Sequence, residues 1–323
     1  MHVGMSELER EHNDLRAATQ HLLRSREQGE HTGFPQNPYR WRVAMARIRG
    51  AQGDLDGALN LLHQAEGLYA SDFSPNVRPV AAWKARVWVV QGRLGEALGW
   101  ARERGLSAKD DLSYLREFEH ITLARILLAR YKSDGTDSSL RDAIGLLERL
   151  LKAAQEGGRT GNVIEILVLQ ALAHQALGDL PAALLSLGQA LTLAEPEGYI
   201  RMFLDEGSAM AGLLREAARR RIMPDYTGKL LAAFEAEGQT SVASAGESSL
   251  LTIPASQPLI EPLSQRELEV LRLFKTELSG PEIARELVIG LSTVRTHTKS
   301  IYNKLNVNTR RAAVKRAEEL NLI

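Results

Sequence analysis

The chain has 323 residues, enough for two or three domains with real cores. Its 40 Lys/Arg balance 40 Asp/Glu, so net charge alone points to no partner, and the absence of cysteine excludes disulfides, thiolate metal sites, iron–sulfur clusters and cysteine nucleophiles. Aromatic residues at 5% argue against an all-β sandwich, and no run approaches the roughly 18 apolar residues of a membrane span.

The most apolar stretch, residues 164–172, is interrupted by Glu165 and Gln170, and the N-terminus carries no basic-then-apolar leader pattern. The expectation is a soluble, cytoplasmic, all-α protein. The charge balance hides an asymmetry. Residues 263–323 carry 11 Lys/Arg against 7 Asp/Glu, and the rest carries 29 against 33. A basic end on an acidic body is a first sign of a nucleic-acid partner.

From the N-terminus a short pattern recurs: a polar turn, Leu, two spacers, Ala, then usually an aliphatic residue. The anchors are Leu15, Leu55, Leu94, Leu140 and Leu180, spaced 40, 39, 46 and 40 apart, the longer interval absorbing the polar stretch 132–138. Ala18, Ala58, Ala97, Ala143 and Ala183 follow at +3, and Leu22, Leu62, Ala101, Leu147 and Leu187 at +7, one face of a helix. A second amphipathic run precedes most turns, as in Ala44, Ile48 and Ala51, or Trp83, Val87 and Val90. Each unit therefore reads as helix, tight turn, helix, with Gly53, Gly92 and Gly178 supplying the positive φ of the turn. The small alanine lets the paired helices approach closely.

A two-helix unit cannot bury its own apolar face, but stacked neighbours can. The spacing predicts a tetratricopeptide-like α-solenoid of about five helical hairpins over residues 1–236, with helices longer than in the usual 34-residue repeat. Ser6 and Glu9 have capping-box spacing and predict a late start for the first helix. This abrupt beginning suggests the C-terminal piece of a longer protein. After the last repeat, Pro196 and Gly198 end a helix, and two short helices are expected near 203–220 and 225–236 to close the stack. Residues 237–262, rich in Ser, Pro, Gly and Thr, read as a flexible linker.

Residues 263–323 carry four helical signals. Ser264 and Glu267 form a capping box; Ser279-Gly280-Pro281-Glu282 starts a second, short helix with Pro281 in its first turn. A turn at 288–290 leads to a third helix whose inner stripe is Val294, Ile301 and Leu305. A fourth runs from about Thr309 to Leu320. A short helix, a turn and a longer helix make a helix-turn-helix. The outer stripe of the third helix is Arg295, Thr296, Lys299 and Asn303. Arg295, Thr296 and Lys299 are placed to face bases in a major groove. Ser292 and Thr293, at the helix N-terminus, and Asn303, Lys304, Arg310 and Arg311, farther along, are placed to face backbone phosphates. The bland alternative is a solvated cationic face on a small bundle that binds protein.

Residues 263–271 resemble the opening of LuxR-type helix-turn-helix domains. Glu282-Ile283-Ala284-Arg285-Glu286-Leu287 resembles their second helix. Thr293-Val294-Arg295-Thr296-His297, with Ile301, Lys304-Leu305, Arg310 and Ala313-Val314, resembles the recognition helix and its sequel. The run from Leu193 to Tyr199, with Phe203, Asp205, Glu206 and Gly207, is similar to the end of the solenoid in MalT-like large regulators of that class. The resemblance implies a bacterial transcription regulator that binds double-stranded promoter DNA as a homodimer. It also implies base contacts from Arg295, Thr296 and Lys299, and phosphate contacts from Thr293, Lys304 and Arg310. Such regulators usually carry an N-terminal nucleotide-binding switch domain; this chain has no Gly-x-x-x-x-Gly-Lys-Ser/Thr loop. Three positions depart from the pattern: Glu277 stands for a glycine, Gly280-Pro281 for an Asn-x pair, and Gly290 for an N-capping Ser or Thr.

Eight scattered histidines show no metal-ligand spacing, and no nucleophile–base motif or phosphate loop is present, so neither an enzyme nor a cofactor is implied. Trp83 and Trp88 read as packing residues of the repeats, and so do Trp41 and Tyr39, with stacking on a ligand at a concave solenoid face as the alternative for these two. The expected function is transcription regulation, with the solenoid taking a small-molecule or protein effector. The competing reading is a solenoid interaction scaffold whose helix-turn-helix binds protein.

Overall fold

The computed structural model describes residues 2–29, 36–69, 76–246, 263–276, 278–287, 289–305, 307, 309–319 and 322. Within these ranges the side chains of residues 28, 29, 239–246, 292, 295, 299, 303, 311, 312 and 319 lie outside the description. The described residues are helical throughout their regular structure and divide into two compact units, Met1–Ala243 and Ser244–Ile323.

The first unit is a run of antiparallel helix pairs. They are α1 (His2–Glu11) with α2 (Leu15–Gly29), α3 (Asn37–Ala51) with α4 (Leu55–Glu66), and α5 (Val80–Val90) with α6 (Leu94–Glu103). After a 3₁₀ turn at Tyr114–Arg116 come α7 (Glu117–Asp134) with α8 (Asp137–Glu156), then α9 (Thr160–Leu177) with α10 (Leu180–Ala194).

The recurrent Gly-Asp-Leu is one device at two helix ends. Gly53 and Gly178 sit at φ 82°. The next residue then donates back to the preceding helix, Asp54 N to Arg49 O at 3.0 Å and Asp179 N to His174 O at 2.9 Å. This is the six-to-one bond of a Schellman closure. The aspartate then caps the next helix: Asp54 Oδ1 accepts from Gly57 N at 2.9 Å, and Asp179 Oδ1 from Ala182 N at 3.0 Å. In the first pair Asn13 takes the left-handed place at φ 68°, and Asp14 caps α2 through Ala17 N at 2.8 Å. Asn is the side chain best tolerated there.

The +3 alanines are all completely buried, and the +7 positions are buried in every pair. In the fourth pair the polar stretch is largely helix: 132–134 extend α7, and only Gly135 and Thr136 make the turn. Val90, expected on an inner face, is exposed. α9 is buried on nearly every side because α7, α8, α10 and α12 all touch it. Trp41 packs in the core, its indole N–H donating to Leu22 O at 2.8 Å, and Tyr39 is buried beside it in the neighbouring cluster.

The capping box expected at Ser6 is not formed. α1 begins at His2, and Ser6 is buried in mid-helix. The spacing alone could not show that the preceding residues also have a wall to pack on.

The end of the run returns to its beginning. α11 (Arg201–Leu204) packs on α1, Ile200 N donates to Glu11 O at 2.8 Å, and Arg10 pairs with Asp205 at 2.5 Å. Asp205 and Glu206 separate α11 from α12 (Gly207–Arg219), which opens on Gly207 at φ 67°. α13 (Pro224–Gly246) then runs past Ala236, where a linker was expected to begin. Arg201 pairs with Glu237 and helps hold this continuation. The remainder of the expected linker, 247–262, lies outside the described residues.

The second unit contains α14 (Gln265–Leu273), α15 (Gly280–Glu286), α16 (Leu291–Leu305) and α17 (Arg310–Glu319) around one apolar cluster. No described helix is long and apolar enough to cross a membrane.

Candidate nucleic-acid interface

Two capping boxes set the entry of the first two helices of the second unit. At α14, Glu267 N donates to Ser264 Oγ at 3.3 Å, and Ser264 N donates to Glu267 Oε2 at 2.6 Å. At α15, Ser279 N donates to Glu282 Oε2 at 2.7 Å, and Pro281 occupies the first turn, where no N–H is needed. The first bonds of α16 run to Gly290: Thr293 N at 3.0 Å and Val294 N at 3.1 Å. A backbone carbonyl thus begins the helix where a capping side chain is missing.

α16 is amphipathic for a physical reason visible in its neighbours. Val294, Ile301 and Leu305 are buried against Val270 and Leu271 of α14, Ile283 and Ala284 of α15, and Ala313 and Ala317 of α17. Positions 292, 296, 299 and 303 fall on the opposite side of the helix, with 293 and 295 flanking them. Thr293 and Thr296 are exposed. The backbone of 292, 295, 299 and 303 lies in α16, and that of 311 in α17, while the side chains of Ser292, Arg295, Lys299, Asn303 and Arg311 lie outside the description. The turn position Glu277 is also outside it.

Two residues expected to face phosphate are engaged inside the unit. Lys304 Nζ donates to Glu267 Oε2 at 2.7 Å, and Ser300 Oγ donates to Glu267 Oε1 at 2.5 Å. Glu267 is nearly fully buried. Burial pushes its carboxyl up, but the hydrogen bonds from Lys304, Ser300 and Ser264 outweigh this and bring it down to about 2. The residue read as a simple cap therefore clamps α16 onto the start of α14.

Arg310 is more deeply engaged. Its guanidinium donates to four carbonyls: Phe274 O at 3.0 Å, Leu278 O at 2.5 Å, Leu273 O at 2.9 Å and Thr276 O at 2.7 Å. It also lies 5.2 Å from the Phe274 ring centroid. Four of the five N–H donors of the fork are occupied by the exposed end of α14 and the turn that follows. These bonds engage within the unit a side chain expected to face phosphate. The carbonyls left over at a helix C-terminus need donors, and a cation is favoured there.

Two of the histidines meet, His2 Nδ1 lying 3.3 Å from His21 Nδ1. Among the described residues no group of three or more His, Asp or Glu could hold an ion. His120 is buried between Arg116 O at 3.0 Å and Asp110 Oδ2 at 3.1 Å, a structural position.

The first unit holds a charged wall that motif reading missed. Arg10, Arg47, Arg86 and Arg125 stand on α1, α3, α5 and α7, and Glu165 follows on α9. Glu11 accepts from both Arg10 (2.8 Å) and Arg47 (2.6 Å). Glu165 accepts from both Arg86 (2.7 Å) and Arg125 (2.9 Å), and Arg125 also pairs with Glu206 at 2.6 Å. The arginines recur at intervals of 37, 39 and 39 residues, a signal as regular as the leucine anchors.

Comparison with known proteins agrees with both units. Residues 1–220 match the model of the MalT-like TPR region, and residues 261–317 match that of the bacterial regulatory proteins of the luxR family. The chain is similar to the HTH-type transcriptional regulator MalT of Cronobacter sakazakii, 30% identical over 303 residues, and of Klebsiella pneumoniae, 30% identical over 308 residues. It is 29% identical over 303 residues to the regulator of the same name in Yersinia pestis. Each comparison covers 88% of this chain and 32% of the relative, so the chain spans about a third of the length of the curated relatives it matches. With the two matches in the same order as the two units, and the longer one taking in well over half the sequence, the chain belongs to the MalT-like family of LuxR-type helix-turn-helix regulatory proteins with a TPR-like region, a family of regulators rather than enzymes.

Proposed function

We propose that this chain is the sensing and DNA-binding portion of a transcription regulator. Residues 1–236 form a solenoid of five helical hairpins, 237–262 include the connection, and 263–323 form a four-helix helix-turn-helix domain. The observation that carries the reading is α16. Its Val294, Ile301 and Leu305 are buried on one side, leaving a side that begins with exposed Thr293 and Thr296 and includes positions 295, 299 and 303.

In this reading α16 enters a major groove of double-stranded promoter DNA. Arg295, Thr296 and Lys299 face base edges, and an arginine or lysine there bonds guanine O6 and N7. Ser292, Thr293, Asn303 and Arg311 face phosphates. Lys304 and Arg310 act from within, fixing α16 on α14 and the start of α17 beneath the end of α14. The domain binds as a homodimer, the solenoid receives an effector, and a nucleotide-binding domain precedes this portion in the whole protein. The support for that last point is the one-third coverage of the relatives.

Selection of bound sequences from a random DNA pool by the whole chain tests the reading. Recovery of a two-fold symmetric site, with affinity falling at a slope of about −0.9 per phosphate contact in log–log salt titration, is expected. Folded protein that selects nothing at low salt favours the scaffold reading instead.

A further inference from the structure

The charged wall of the first unit leaves one arginine outside its ion pairs among the described residues. Glu11 is shared between Arg10 and Arg47, and Glu165 between Arg86 and Arg125. Arg78, just ahead of α5, makes no ion pair among the described residues, and its guanidinium lies 5.7 Å from the Phe118 ring. Arg86 lies 3.9 Å from that same ring and 5.3 Å from Trp83, and Arg47 lies 4.9 Å from Trp83. Three guanidiniums therefore surround two adjacent aromatic rings whose own centroids are 4.7 Å apart.

Their hydrogen bonding is incomplete at this place. Nε of Arg47 and Nη2 of Arg86 are buried without a hydrogen-bond partner among the described residues. Elsewhere on the two forks, Arg86 Nε reaches Thr122 Oγ1 at 2.9 Å and Nη1 reaches Glu165, while Arg47 Nη2 reaches Glu11 and its Nη1 lies 3.8 Å from Glu7. Burial lowers the affinity of both Arg47 and Arg86 for their protons, Arg86 to about 9 although Glu165 opposes it, and repulsion from neighbouring arginines adds to the lowering. Like charges gathered beside unfilled donors are the arrangement that an incoming anion relieves. A planar guanidinium fork matches the two oxygens of a carboxylate or phosphate, and aromatic faces suit the apolar body attached to it.

We propose that Arg47, Arg78 and Arg86, seated around Trp83 and Phe118, bind a small molecule bearing an oxyanion, a carboxylate or a phosphate, and that this is the effector class the solenoid takes. The assignment of effector rests on the sensing role proposed above; the site itself rests on the unfilled donors. Arg78 is the arginine that ligand captures first, since it is exposed and pairs with no carboxylate among the described residues. Arg47 and Arg86 provide the buried floor.

The test is isothermal titration of the whole chain with inorganic phosphate and, separately, citrate, at ionic strength held constant with sodium chloride. At least one anion is expected to bind saturably at one site per chain, the two arms separating phosphate from carboxylate preference. Arg78→Ala is expected to weaken it at least tenfold without unfolding the protein, Arg86→Lys to weaken it while keeping the charge, and Arg219→Ala, an exposed arginine on α12, to leave it unchanged. Absence of saturable binding by both anions, or binding that survives Arg78→Ala, overturns the site. DNA selection on the same preparation separates the two proposals. Anion binding without DNA selection keeps the site and removes the regulator, and DNA selection without anion binding does the reverse.

Discussion

Lys304 on α16 and Glu267 on α14 are joined at 2.7 Å, and the same carboxylate closes the capping box of α14. One buried side chain thus ties the entry of the first helix to the helix that carries the proposed DNA contacts. Glu267→Gln removes the charge while keeping the shape. The expected cost is about 1–3 kcal/mol, seen as faster amide hydrogen exchange in α14 and α16. The folded carboxyl titrates near 2, below its ordinary 4.5. Its contribution is therefore fully present above about pH 4.5 and is lost as pH falls through 2, a loss on the order of 2–3 kcal/mol. In Glu267→Gln this acid-dependent loosening of α14 and α16 should vanish; its persistence would assign the effect to another group.

Arg310 separates a structural from a phosphate-binding role. Arg310→Lys keeps a cation but has no fork with which to reach four carbonyls at once. Denaturant unfolding should show a loss of about 2–4 kcal/mol in the second unit. A variant of unchanged stability whose only defect is a shallower salt slope for DNA binding would restore the phosphate role.

Arg295→Ala is expected to cost about 1–3 kcal/mol on the selected DNA site and to relax the base preference at one position. The measurement is competition binding against single-base variants of that site. Uniform weakening across all variants would move Arg295 from the bases to the backbone.

Asp205 holds the end of the helix-pair run to its start. It pairs with Arg10 at 2.5 Å and with Arg201 at 2.6 Å. Burial raises its carboxyl, but the charges of Arg10 and Arg201 outweigh this and bring it to about 2. The closure is therefore complete above about pH 4 and weakens as pH falls toward 2. Asp205→Ala should speed hydrogen exchange in α1 and α11 more than tenfold and leave α8 and α9 near wild type. Equal acceleration everywhere would mean that the closure is part of one cooperative core.

Gly178→Ala probes the turn device. Its φ of 82° suits glycine, and nothing lies within 4 Å of an added Cβ, so the cost is conformational alone. A loss of about 1–2 kcal/mol in thermal unfolding is expected, and a stabilised variant would contradict the strain argument.

Much of this molecule is legible in one dimension. The leucine anchors, the buried alanines and the Gly-Asp turns are local features, because a helix face and a capping turn are decided within about eight residues. The inner stripe of α16, the capping box at Ser264 and the helix start at Ser279 follow for the same reason. The capping box at Ser6 misled because capping spacing is short and common. The stop expected at Ala236 misled because Ser and Thr composition does not itself end a helix that has a partner such as Arg201.

Sequence alone determined the helical repeat, the order of the two parts and the amphipathic third helix of the basic end, since each arises from contacts between near neighbours along the chain. Only the folded arrangement decided what the charges do. Arg10 meets Asp205 across 195 residues, Lys304 turns inward to Glu267, Arg310 caps the end of α14, and three arginines gather around Trp83 and Phe118. A guanidinium or ammonium on a flexible stem reaches whichever acceptor the surrounding helices leave unsatisfied, and that is settled by packing between elements distant in sequence.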